Sequence, residues 1–593
     1  MEIQRALILT AIAVVTYLMI LAWQEDYGRS PEVDQTTVTR DAGTIPGDAD
    51  VTAASNNGAN GDDLPTDDSI PSAADAPAAA VPSDTIPTSS AGDQVPQATA
   101  ERLVSVRTDN MDIEIDRLGG DIVRLALLDY PRQVDTPDQP FILLERSASR
   151  TYVAQSGIIG ANGTDSGEGR PTWQAERAAY TLGEHENELN VDLYLRQENG
   201  AEIIKRYTFE RGSHLIRTTH IIRNNTNEPW QGALYGQIKR DGSSDPGKSN
   251  AGFIPMPTYL GAAYWSSDRP YNKLTLSNMR DDNLSTTQEG GWVAMIQHYF
   301  LSAWVPDPGE QHRYSTVYRR SQDEYILRFV SPATTVAPNS EGVLYAELYV
   351  GPKQQDDLRA ISPGLHMTVD YGWLWFLAQP IFALLVFLQS GQITLFGNQF
   401  DIGFGVGNWG VAIILLTLVI KLIFFKLSAT SYRSMARMRK VAPEMQRIRE
   451  QHKSDRQKQS MELMKLYQKE KINPLGGCLP ILVQMPVFIA LYYVLLESVE
   501  LRQAPFFGWI QDLSIMDPWF ILPLMMGASM WFQMRLNPTP PDPTQAQVMK
   551  WMPVIFTVFF LWFPAGLVLY WLTNNILSIA QQWVITRRIE NES

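Results

Sequence analysis

The 593-residue sequence predicts a multi-domain membrane protein with three parts: an N-terminal transmembrane anchor, an exported all-β domain, and a five-helix α-helical transmembrane core bearing a basic helical hairpin. Three observations carry that reading. Apolar runs able to enter a bilayer stand at the N-terminus and recur from residue 409 to residue 585. Between them, from about 101 to 350, the pattern becomes short alternating runs punctuated by Asn and Gly. Charge is also segregated. Residues 25–100 hold 14 acids and 2 bases, and residues 426–471 hold 13 bases and 5 acids, within a chain of net charge −15. That separation says more than the overall pI.

In chain order, residues 6–22 (ALILTAIAVVTYLMILA) follow Arg5 and lack a small-x-small cleavage site. Residues 1–23 therefore read as an uncleaved anchor, N-terminus inside and the following chain exported. Residues 24–100 are rich in Asp, Ala, Pro, Ser and Thr and read as a disordered acidic linker, too poor in large apolar residues to fold. Residues 101–365 form the β domain, an antiparallel sandwich by its period-2 runs, among them 203–209, 214–222, 325–330 and 342–350.

One motif there imitates a nucleotide site. Gly242-Ser-Ser-Asp-Pro-Gly-Lys-Ser249 fits the Walker A spacing. A P-loop needs a helix beginning at its Lys, to hold phosphate at the helix N-terminus. Here the chain continues through Gly252, Pro255 and Pro257, which excludes one. The motif reads as a loop between strands. Cys478 is the only cysteine, so there is no intrachain disulfide and no Cys-based zinc site. The seven histidines show no paired ligand spacing, and no metal, nucleotide or other cofactor is assigned.

Residues 366–407 follow. The run 372–389 is apolar, but topology argues against a crossing. The basic block belongs in the cytoplasm by the positive-inside rule, and the β domain lies outside. A single crossing then separates them, 409–425. The run 372–389 is left to lie in the outer interface, bent at Pro380, with residues 390–407 as a Gly-rich connector. The core, 408–586, has its five spans at 409–425, 479–497, 519–534, 551–563 and 566–585. It contains a cytoplasmic hairpin, 427–475, read as two helices with Pro443 breaking or kinking the first. The run 551–563 makes only about 20 Å of helix. Residues 587–593 are a short cytoplasmic tail.

Candidate site residues come from polarity inside these spans. Lys421 lies in the run WGVAIILLTLVIKLIFF, and a charge at mid-bilayer costs at least ~2.5–3.5 kcal/mol. Snorkelling toward Lys426 is the plain alternative, since a lysine stem reaches that far. Thr417 precedes Lys421 by one turn and shares its face. Trp571, Asn574, Asn575, Ser578 and Gln582 fall on one stripe of the last helix, and Gln484 and Gln533 add polar groups in other spans. Interhelical hydrogen bonding explains such residues singly. Their concentration around a lysine favours a hydrated intramembrane cavity.

Three stretches then resemble one family. NPLGGCLPILVQMPVFIALYY from Asn473, running into VELR from Val499, is similar to the signature of the YidC family of membrane protein insertases. So are DYGWLWF from Asp370 and MPVIFTVFFLWFPAGLVLY from Met552. With the anchor, linker and β domain, the resemblance covers nearly the whole chain and is closest to the Gram-negative type. It implies a periplasmic β-supersandwich of the sugar-mutarotase kind, with no catalysis required. It also implies a hydrophilic groove open to cytoplasm and lipid but closed to the periplasm. The groove charge of the family, usually arginine, falls at Lys421, and groove-lining positions fall at Thr417, Gln484 and Trp571. Implied partners are nascent membrane proteins, the Sec translocon and its accessory subunits, ribosomes and a targeting receptor, besides membrane lipid; nothing points to DNA. Implied location is the bacterial inner membrane, both termini cytoplasmic. Departures are the lysine, which lacks the fork of donors of arginine, a longer connector at 390–407, and a short tail.

The expected function is insertion without covalent chemistry. Lys421 attracts acidic residues of a substrate, while its apolar segment enters lipid along a hydrophobic slide near Phe488, Leu491 and the helix 551–563. A secondary transporter or channel is the alternative. It predicts inverted repeats, and none is evident across the five spans. A tethered carbohydrate enzyme is a third class, which predicts that deletion of 101–330 abolishes function.

Overall fold

The computed structural model describes residues 102–166, 169–246, 258–395, 398–401, 403–452, 455–470, 479–536 and 543–591. All belong to one compact unit. The anchor, the acidic linker, Lys248 and the start of the signature at 473–478 lie outside the described residues.

The alternating runs do form strands, arranged in sheets of ten and nine strands plus a separate two-stranded hairpin. In the larger sheet Trp230–Asp241 pairs antiparallel with Thr151–Ile159 and with Glu324–Val336, with a register shift at Ala233/Tyr235. In the other, Leu215–Asn224 lies between Glu202–Glu210 and Ser340–Pro352. Side chains such as Ile113, Leu143, Ile203, Ile222, Leu327 and Phe329 fill the space between. The sandwich also buries an ionic cluster that the strand pattern gave no sign of. Arg170 pairs with both Asp121 and Asp165, and Lys205 donates to the carbonyls of Gly119 and Ser156. The Walker-like stretch leaves the strand at Asp241 and is tied down by Asp245, whose Oδ2 accepts the His298 N–H at 2.8 Å.

Helix α1, Trp375–Ser390, runs on through Pro380 and stops at Gly391 (φ +78°). With the preceding turn it is long and apolar enough to cross a bilayer. The connector is more than glycine: Gln392–Leu395 and Asn398–Asp401 pair as a hairpin. Helix α2, Trp409–Ile423, is capped by Asn408, whose side chain accepts the Val411 N–H at 3.1 Å. It ends two residues before the expected span does. A bend of 68° then leads into α3, Phe425–Lys440. The basic block is therefore three helices rather than two, because α4, Ala442–Gln451, begins afresh with Pro443 in its first turn, where proline fits best. Helix α5, Arg456–Lys469, is capped by Asp455 and packs Leu463 and Leu466 on Val441 and Met445.

Helix α6, Leu479–Glu497, matches the expected span at both ends. Helix α7, Ile521–Leu536, starts where Asp517 accepts the N–H groups of Trp519 and Leu522. Helix α8 spans Pro543–Phe560, so the expected run 551–563 starts inside an 18-residue helix and overruns its end by three residues. Helix α9, Ala565–Asn591, carries most of the supposed tail as helix.

The β domain and the helices share a core. Ala263, Ala294, Leu301 and Tyr349 of the smaller sheet, with Trp292 just before one of its strands, pack in one cluster with Leu374, Ala412, Leu416, Val494 and Leu567. Polar contacts cross the same junction. Lys353 pairs with Glu497 at 2.9 Å, both buried, and Lys273 pairs with Asp370. Arg502 donates to the carbonyl of Pro131 at 2.6 Å, and His298 Nε2 meets the carbonyl of Leu496 at 2.9 Å. The segment 498–520 then closes one end of the bundle. Asn408 donates to the carbonyls of Pro505 and Phe506, Ala565 to that of Ile515, and Gly566 to that of Leu513. Phe506 lies against Gly410, where any Cβ would strike its ring.

Candidate functional site: a polar recess beside Lys421

Lys421 sits in the last turn of α2, half-buried. Its ammonium donates to Ser578 Oγ at 2.7 Å across to α9. Ser578 in turn donates to the Asn574 carbonyl at 2.6 Å, so its lone pairs face the lysine. One turn along α9, Asn574 Oδ1 accepts from Gln484 Nε2 at 2.6 Å. Two polar rungs thus join α2 and α6 to α9. Beside them is a small recess lined by Ile420, Lys421, Phe424, Leu427, Ser428, Val483 and Gln484. Among the described residues no carboxylate pairs with Lys421. Its charge is held by a hydroxyl, not neutralised.

The stripe expected on the last helix divides. Asn574 and Ser578 face the rungs, whereas Asn575 donates to Ser529 of α7 at 3.1 Å and Gln582 to the Leu536 carbonyl at 3.2 Å. These two bind α7 to α9, away from Lys421. Residues 574 and 575 stand 100° apart on a helix, enough to serve different neighbours. Thr417 is not a recess residue either: it is 1% exposed and bonds back to the Ile413 carbonyl at 2.7 Å. Trp571 packs in an aromatic group with Phe488 (4.6 Å), Phe556 and Phe560. Phe488 is half-buried, and Leu491 is fully buried, so Leu491 lines no open slide. An exposed apolar stripe does run along α8, through Trp551, Val554, Ile555, Val558 and Phe559.

Three residues of the recess region escaped the sequence reading. Ser428, Ser431 and Tyr432 of α3 are buried near it. Their i, i+3, i+4 spacing was available, but the basic composition of the block made that face look solvated.

Comparison with known proteins fits this architecture. Residues 103–384 match the family described as the YidC periplasmic domain, and residues 402–592 match the one described as 60Kd inner membrane protein. The membrane protein insertase YidC of Alcanivorax borkumensis is 65% identical over 600 residues, covering 100% of both chains. The chain belongs to the YidC family. The YidC of Stutzerimonas stutzeri is 52% identical over 590 residues, covering 100% of this chain and 99% of that one. A solved YidC insertase structure is similar over 81% of this chain at 18% identity, with a TM-score of 0.34. The hairpin between Gln392 and Asp401 falls between the two matched YidC regions, in neither. The rungs at Lys421 and Gln484 lie within the second.

Proposed function

We propose that this chain is an inner-membrane insertase, which inserts and folds nascent membrane proteins through the recess at Lys421, alone or with the Sec translocon. The observation that carries the reading is a half-buried lysine held, among the described residues, by a hydroxyl alone, in a recess of a YidC-family bundle. A polar cavity partway into the bilayer shortens the apolar path that a substrate's polar segment must cross. Lys421 attracts acidic groups on that segment, because a serine hydroxyl competes for the ammonium more weakly than a carboxylate would. The substrate's apolar span meanwhile partitions into lipid along α8. Its burial supplies the driving force, about 25 cal/mol per Å², and no enzymatic step is assigned.

The proposed topology has both termini cytoplasmic, the β domain periplasmic and α1 in the outer interface. Support comes from the net +8 of residues 426–471 (13 bases, 5 acids) and the positive-inside rule. Ribosomes, a targeting receptor and Sec accessory subunits are partners that the resemblance supports. The decisive experiment replaces the native protein by variants in depleted cells. Lys421→Arg is expected to insert substrates near the wild-type level and Lys421→Glu at least tenfold less. Equal insertion by the two would remove the charge from the mechanism.

A further inference from the structure

Helix α5 presents a second apolar face that nothing among the described residues covers. Leu463 and Leu466 point into the packing with α4, while on the far side Met461 is 55% and Met464 47% exposed. At 100° per residue, Gln457, Met461, Met464 and Gln468 form one stripe. Lys458, Lys465 and Lys469, all exposed, lie along one flank of it. Lys465 pairs with half-buried Glu462 at 2.8 Å, and Asp455 is engaged as the helix cap. The helix is tethered close to the bilayer, because α3 follows α2 directly and packs Ala429 and Tyr432 against Ile585 of α9.

We propose that this face of α5 docks on the anionic headgroup layer of the membrane, its methionines entering the acyl boundary and its lysines meeting lipid phosphates. Charge complementarity favours lipid: a row of lysines beside a flexible apolar stripe is the composition of an interfacial helix. Nucleic acid would use the lysines but leave two methionines in water, and no aromatic lies on the stripe for base stacking. The inference concerns the hairpin alone and holds whether or not Lys421 acts in insertion.

The test uses the full chain in a Cys478→Ser background, which removes the only cysteine. A fluorophore at Met461→Cys or Met464→Cys is read in nanodiscs of phosphatidylcholine, with or without phosphatidylglycerol, with nitroxide-bearing lipid as quencher. Blue-shifted emission and strong quenching are expected only with the anionic lipid, and are expected to fade in ~1 M salt, where the Debye length is about 3 Å. Each lysine near such a surface is worth about fivefold in association. Replacing all three by Gln is therefore expected to weaken contact about a hundredfold, with the thermal midpoint unchanged. Equal quenching in both bilayers overturns the proposal. So does protection that appears only when ribosomes or a soluble protein partner are added.

Discussion

Lys421 and Ser578 set the chemistry at the scale of single residues. Ser578→Ala removes the hydroxyl that holds the ammonium, and a hydrogen bond to a charged group is worth about 1.5–3 kcal/mol. Insertion is expected to fall several-fold and the thermal midpoint to drop, and Ser578→Thr should restore both; complementation rate beside thermal unfolding checks each. The sequence displayed the polarity of Asn574, Asn575 and Ser578 but not its division, because which neighbour each side chain meets depends on how α7 and α6 flank α9. Histidines give a second residue-level expectation, in the β domain. Burial pushes His214 down to about 4 and lowers His220, His312 and His366 as well. The unfolded chain, with histidine near 6.5, then binds more protons than the folded one. Stability contributed by His214 is present above about 6.5 and lost as pH falls toward about 4. Thermal midpoints of detergent-solubilised protein should drop over that window, and His214→Phe should flatten the slope.

Helices and strands differ in how well their sequences announced them. Strands were legible because one face is buried and the side-chain period is two. Helix α6 was legible because its apolar run ends where the helix ends. Helix α8 was not: its first turns are polar, Thr544 to Lys550, so hydropathy located only the apolar part. At Pro443 the sequence left break and kink both open, because proline in a first turn and proline inside a helix look alike without the neighbouring backbone; the structure has the break. Contact between α7 and α8 depends on Gly527, where any Cβ would meet Thr557 Oγ1. That hydroxyl already donates to the Pro553 carbonyl at 2.6 Å. Gly527→Leu overfills the contact and is expected to cost about 1–3 kcal/mol, read as a lower thermal midpoint and faster proteolysis between α7 and α8.

Across the whole molecule, the feature that composition hid is the junction of β domain and helices. An acidic linker and an exported sandwich suggested a loosely tethered module, yet one cluster of side chains runs from Trp292 and Leu301 into Leu416 and Val494. Deleting residues 101–330 therefore strips the helices of packing as well as removing strands, and a point substitution separates the two effects. Glu497→Ala leaves Lys353 buried and unpaired, which costs about 3–5 kcal/mol. Hydrogen exchange over residues 494–503 should rise, while exchange in the distant strand Glu202–Glu210 stays slow. A last consequence belongs to the loop 498–520, which seats Phe506 on Gly410 and binds the first turn of α9. On the proposed topology that closed end faces the periplasm, and the lysine recess stands at the opposite end of α2. Water and ions that enter it meet a dead end. A cell that stores energy as a transmembrane voltage can then keep this polar hollow in its membrane without short-circuiting the store.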